Sequence, residues 1–72
     1  MTVEEILARC PHSDHPFKPG CKLLDETLSV LHVETGRIAE IDYVDSEGMW
    51  RGRVHTFTFG FMRPVEDFKF IN

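Results

Sequence analysis

The sequence predicts a mainly β fold: a small antiparallel barrel of four to five strands with a short N-terminal helix. Three observations point there. The chain has 72 residues, the length of one small domain. From residue 21 onward, short β-branched and aromatic runs alternate with tight turns. Helical periodicity is confined to the first ten residues, so no long helices are available to cover a sheet. A twisted sheet in such a chain is best protected by closing on itself, which removes its edges. An α+β domain, a curved antiparallel sheet packed by one helix, is the alternative. The single domain divides into a helix over 2–10, a loop over 11–20 and a barrel over 21–71.

The helix is marked at both ends. Thr2 and Glu5 have capping-box spacing, in which hydroxyl and carboxylate satisfy each other's free amides. Val3, Ile6, Leu7 and Cys10 make an apolar stripe. Glu4 and Glu5 in the first turn and Arg9 in the last suit the helix dipole, and Pro11 stops the helix. Pro16, Pro19 and Gly20 punctuate the loop, with Phe17 as its expected anchor to the core.

Within the barrel, residues 21–24 and 27–33 read as separate strands broken at Asp25-Glu26. Glu34-Thr35-Gly36 is a turn, with Gly36 at positive φ. Residues 37–44 form a strand with Ala39, Ile41 and Tyr43 on one face and Ile38 and Val44 on the other. Residues 45–48 form a hairpin loop, and residues 49–59 pair back with a bend at Gly52. Phe57, Phe59 and Phe61 share parity and are expected to face inward, as are Phe68 and Phe70. A turn over 64–67 leads to the last strand.

Composition bounds function. Twelve acids against eight bases give a net charge of −4, which disfavours a general binder of phosphate backbones. The size excludes most enzyme architectures. No apolar run reaches the ~18 residues of a membrane span. The acidic start lacks a signal-peptide pattern, and two cysteines are too few for a disulfide scaffold, so a cytoplasmic location is expected.

Four segments together resemble the SH3-like small barrels, the group that includes KOW and Tudor modules. They are Phe17-Lys18-Pro19-Gly20-Cys21-Lys22-Leu23, Gly36-Arg37-Ile38-Ala39-Glu40-Ile41, Met49-Trp50-Arg51-Gly52-Arg53-Val54 and Arg63-Pro64-Val65-Glu66-Asp67-Phe68. The resemblance implies a Pro-Gly start to the first strand, a Gly-opened strand, a hairpin, and a short turn before the last strand. It also implies a binding module, since very few such barrels catalyse reactions. The chain's size and style further resemble small accessory regulators of phages and mobile elements, which bind and inhibit or redirect host machinery.

Cys10, His12, His15 and Cys21 could staple the loop as a zinc site. Cys10-x-His12 is tighter than usual, and there is no C-x2-C knuckle. Otherwise the two cysteines are buried thiols, or a disulfide in an oxidising compartment. An enzyme is not expected, because Cys10 with His12 lacks a shaped pocket and an orienting third group.

Residues 48–63 hold Arg51, Arg53 and Arg63 with no acids, interleaved with Trp50, Phe57, Phe59 and Phe61. Bases could stack on such rings, so a KOW-like contact to RNA or a ribonucleoprotein through Arg51, Arg53, His55 and Arg63 is the alternative function. Against it, residues 34–47 carry five acids and only Arg37, and would cancel that field from the neighbouring strand.

The leading expectation is a non-enzymatic protein-binding module, an accessory regulator or inhibitor docking on a larger protein of transcription, replication or defence machinery. Its expected contact surface is the hairpin of Tyr43, Trp50, Arg51 and Arg53, with the acids Asp42, Asp45 and Glu47 steering it to a basic partner surface. A tryptophan closing the barrel end from inside is the other reading of Trp50. The sequence leaves the oligomeric state open.

Overall fold

The computed structural model describes residues 1–71. Helix α1 (Val3–Arg9) starts where the capping box predicts. The Glu5 amide donates to Thr2 Oγ1 at 3.1 Å, and the Thr2 amide donates to Glu5 Oε1 at 2.8 Å. Val3 and Ile6 are buried, and Leu7 and Cys10 pack partly buried against the same core.

Six antiparallel strands follow in one sheet: β1 (His12–Asp14), β2 (Cys21–His32), β3 (Ile38–Asp45), β4 (Arg53–Thr56), β5 (Met62–Pro64) and β6 (Phe68–Phe70). The mainly β expectation holds, with more strands than the four or five predicted. The order is β1-β2-β3-β4-β5, with β6 returning to β2. The expected loop contains β1, whose residues are all exposed. No apolar residue marks it, because backbone pairing of His12 to Asp14 with Leu24 to Lys22 makes the strand.

The two strands expected either side of Asp25-Glu26 are one twelve-residue strand, β2. A register shift between Leu23 and Leu28 absorbs the irregularity, so the strand bends instead of ending. The bend lets β2 serve different neighbours at its two halves. It pairs with β1 near Leu23, and with β6 where Val30 meets Phe70 and His32 meets Phe68.

β3 corrects the expected face assignment. Ile41 pairs with Thr56 and Tyr43 with His55, leaving Asp42 as an extra residue on β3. That bulge reverses the alternation. Ala39, Ile41 and Val44 are all buried, Tyr43 turns out to the surface, and Ile38 is exposed.

β4 ends at Thr56, short of the expected strand. The Thr56 hydroxyl accepts from the Phe59 amide at 3.1 Å, and its carbonyl accepts from the Gly60 amide at 3.3 Å. The chain turns there, with Gly60 at φ 70°. Only Phe59 reaches inward, against His32 and Phe68 at 4.7 and 6.2 Å between ring centroids. Phe57 and Phe61 are exposed, contrary to the parity expectation.

The sheet is open between β5 and β6, which are joined by a 3₁₀ turn (Val65–Asp67) and not paired with each other. α1 lies along this opening. Its start shares a depression with Gly52 and Val65, and near its end the Arg9 guanidinium lies 3.7 Å from the Phe70 ring centroid. The core is Val3, Ile6, Leu24, Val30, Ala39, Ile41, Val44, Val54, Val65 and Phe68. The helix therefore supplies side chains that a closed barrel would take from its own strands.

Candidate functional site

Asp45 organises the loop that presents Trp50. Its side chain ends β3 fully buried, at 1% exposure. One carboxylate oxygen accepts from the amides of Glu47 (3.1 Å) and Gly48 (2.5 Å), and the other from the Trp50 amide at 2.7 Å. The Gly52 amide donates to the Asp45 carbonyl at 3.0 Å and closes the loop, with Gly52 at φ 84°. A second clamp comes from the segment before β2. The Gly20 carbonyl accepts from the Ser46 and Glu47 amides at 3.0 and 3.1 Å and from the Ser46 hydroxyl at 3.1 Å. Met49, Trp50 and Arg51 thus lie on a pinned loop instead of the strand expected from residue 49.

Two grooves flank Trp50. One, of about 260 Å³, is lined by Phe17, Lys18, Tyr43, Met49, Trp50 and Met62, with Pro19, Cys21 and Asp45. The other, of about 430 Å³, is lined by Tyr43, Trp50, Arg53, His55, Phe61 and Met62, with Gly60. Tyr43, Trp50 and Met62 line both, so the grooves form one surface. Met49 is 89% exposed, Phe17 86%, Phe61 72% and Trp50 51%. The outward position of Trp50 decides against a core tryptophan, and Phe17 corrects the expected core anchor. Exposed apolar side chains are thus gathered on one face.

The floor is ordered by aromatic contacts. The Tyr43 and His55 rings stack at 4.6 Å with 6° between their planes, and His15 meets Tyr43 edge-on at 5.0 Å. His55 Nδ1 is 2.6 Å from Asp42 Oδ1. Lys18 Nζ sits 5.9 Å from the Tyr43 ring centroid, and the Arg53 guanidinium 5.5 Å from that of Trp50. Burial raises the Tyr43 hydroxyl pKa, with Asp42 and Cys21 adding to it. Burial likewise pushes the Cys21 thiol up, helped by Asp45 and opposed by Lys18, which disfavours the nucleophilic thiolate form of the one thiol lining the groove.

The expected contact residues divide. Tyr43, Trp50 and Arg53 meet on this surface, with Asp42 behind them on His55. Asp45 is a buried loop clamp and cannot meet a partner. Glu47 lines a polar groove on the other side of Lys18, near Lys22. Arg51 lines the depression at the start of α1 with Glu4 and Glu66. The four residues of the RNA reading divide as well: Arg53 and His55 share the second groove, and Arg51 and Arg63 do not join them. Arg63 pairs with the buried Val54 and lies 4.5 Å from the Phe59 ring centroid, away from Arg53 and His55. The expected cancelling acids are dispersed too: Glu40 accepts from the Thr27 hydroxyl at 2.9 Å on the half of β3 that pairs with Ser29.

Among the described residues no group of three or more His, Cys, Asp or Glu could hold a metal ion, so Cys10, His12, His15 and Cys21 do not converge. His12 Nδ1 instead lies 3.0 Å from the Cys10 carbonyl. Sequence reasoning missed Phe17, Lys18, Phe61 and Met62 as members of the surface. The only signals were Pro19-Gly20, which folds its segment onto the hairpin loop, and Gly60, which turns Phe61 outward. No described helix is long and apolar enough to cross a membrane. The chain matches no protein-family model, no curated protein and no solved structure.

Proposed function

We propose that this chain is a non-enzymatic protein-binding module that docks its Trp50 face onto a larger protein, as an accessory regulator or inhibitor of nucleic-acid machinery. The observation that carries the reading is the continuous surface of Phe17, Tyr43, Met49, Trp50, Phe61 and Met62, in which Met49 and Trp50 stand on a loop held by the buried Asp45. Tryptophan, tyrosine, methionine and arginine are the residue types enriched in protein interfaces, and a preorganised loop lowers the entropy lost on docking. The test compares tagged wild type with Trp50→Ala in pull-downs from the native host's lysate, with partners identified by mass spectrometry. A partner retained by the wild type and lost by a Trp50→Ala variant of unchanged melting temperature supports the surface. Equal retention by both overturns it.

A further inference from the structure

We infer that the Trp50 face takes an acidic peptide segment, whose carboxylates meet Lys18 and Arg53 while its apolar side chains enter between Phe17, Met49, Trp50 and Phe61. This deepens the protein-binding reading and rests on it.

The charge inventory of the two grooves carries the inference. Their charged or titratable oxygen and nitrogen groups are Lys18, Arg53, His55, Tyr43 and Asp45. The Asp45 carboxylate is buried and shared among three amides. His55 is engaged by Asp42, whose Oδ1 lies 2.6 Å from its Nδ1. Among the described residues the ion pairs are Lys22 with Asp14 and His55 with Asp42, so neither Lys18 nor Arg53 has a carboxylate partner. Both hold their charges near ring faces, and at the half-buried Arg53 an arriving carboxylate would be less screened than in open water. The exposed acids beyond Lys18, Asp14 and Glu47, both favour the charged form of Lys22, Asp14 by direct pairing.

The face therefore runs against the chain's net charge of −4. This reverses the polarity expected from the sequence, where Asp42, Asp45 and Glu47 were to meet a basic partner. A second copy of the chain is a poor occupant, because a two-fold contact through this face would set its cations, Lys18 and Arg53, against the same cationic face. A nucleic acid is disfavoured as well. One face of Tyr43 is covered by His55, Trp50 has Arg53 over its ring, and the remaining net charge repels a long polyanion. A short acidic segment needs only the two local cations and the adjoining apolar surface.

The experiment pans a random peptide library on the immobilised wild-type protein, on Trp50→Ala and on a Lys18→Gln/Arg53→Gln double variant. Enriched peptides are then measured in solution by the emission of Trp50, the only tryptophan, at low and high salt. The expected result is enrichment, over the starting library, of sequences combining Asp or Glu with apolar residues. Their affinity should fall at least about tenfold in the double variant and on raising salt. All variants are checked for wild-type melting temperature, and a Lys18→Arg/Arg53→Lys swap should restore binding. Enrichment of neutral or basic peptides that still depend on Trp50 overturns the acidic preference and leaves the docking surface standing. Absence of any Trp50-dependent peptide overturns both. Tight binding of a single-stranded oligothymidylate that competes with the peptides overturns the peptide assignment.

Discussion

A β-carbon on Gly20 would stand 2.5 Å from the Gly48 amide nitrogen, so the segment before β2 and the β3–β4 loop touch backbone to backbone. A β-carbon on Gly48 would in turn meet the Pro19 carbonyl oxygen at 2.7 Å and the Asp45 carboxylate at 2.9 and 3.0 Å. This contact joins the loop bearing Phe17 to the loop bearing Trp50. It makes the two walls of the first groove one unit.

We expect Gly20→Ala and Gly48→Ala each to destabilise the fold by about 2–4 kcal/mol, since backbone cannot yield as a side chain can. Gly36→Ala is the control. Its φ is 72° but open space surrounds it, so only the left-handed strain of about 1 kcal/mol applies. Urea unfolding followed by circular dichroism measures all three. A Gly48→Ala cost at or below that of Gly36→Ala would remove the contact from the account.

Asp45 should behave as a structural residue. Asp45→Ala leaves the amides of Glu47, Gly48 and Trp50 without their acceptor. The expected cost is about 2–4 kcal/mol, with partial recovery in Asp45→Asn, whose amide oxygen still accepts. Trp50 emission should shift in the folded protein as its loop loosens. A variant with wild-type stability and emission would show that the carboxylate does not hold the loop.

The phenylalanines separate by depth. Phe68 is 1% exposed at the centre of the core, and Phe68→Ala should cost about 3–5 kcal/mol. Phe61 is 72% exposed, and Phe61→Ser should stay within about 0.5 kcal/mol. Comparable losses at both positions would place Phe61 inside with Phe68, as the shared parity of Phe57, Phe59 and Phe61 predicts.

These residues also show what the sequence could disclose. α1, its capping box, the Gly36 turn and the Phe68 core position follow from local rules, and all are present. The missed features are non-local. The Asp42 bulge exchanges Tyr43 for Val44 on the buried face, and a bulge is set by pairing with β4, not by β3 alone. Thr56 ends β4 through a side-chain bond that no alternation pattern reveals. For the site, residue type flagged Tyr43, Trp50 and Arg53. Asp45 looked like any hairpin acid, because only the folded chain places three amides around it.

Stability should fall in alkali. Burial holds the thiols of Cys10 and Cys21 above the ordinary value of 9.0, and burial with the Asp42 charge holds Tyr43 above 10.0. The folded chain therefore keeps protons that the unfolded chain releases, and stability declines with pH in that range. The contribution is fully present below about pH 9, the unfolded thiol value, and is lost as pH rises through the higher folded values. Lys22, held charged by its bond to Asp14, shifts in the same direction but is exposed and adds little. The measurement is the urea midpoint from neutral pH to above about pH 10. It should be level at first and then decline, and Cys21→Ala with Tyr43→Phe should flatten the decline relative to each variant's neutral value. A wild-type midpoint that stays level above pH 10, or a decline unchanged by both substitutions, would place the alkaline behaviour elsewhere in the chain.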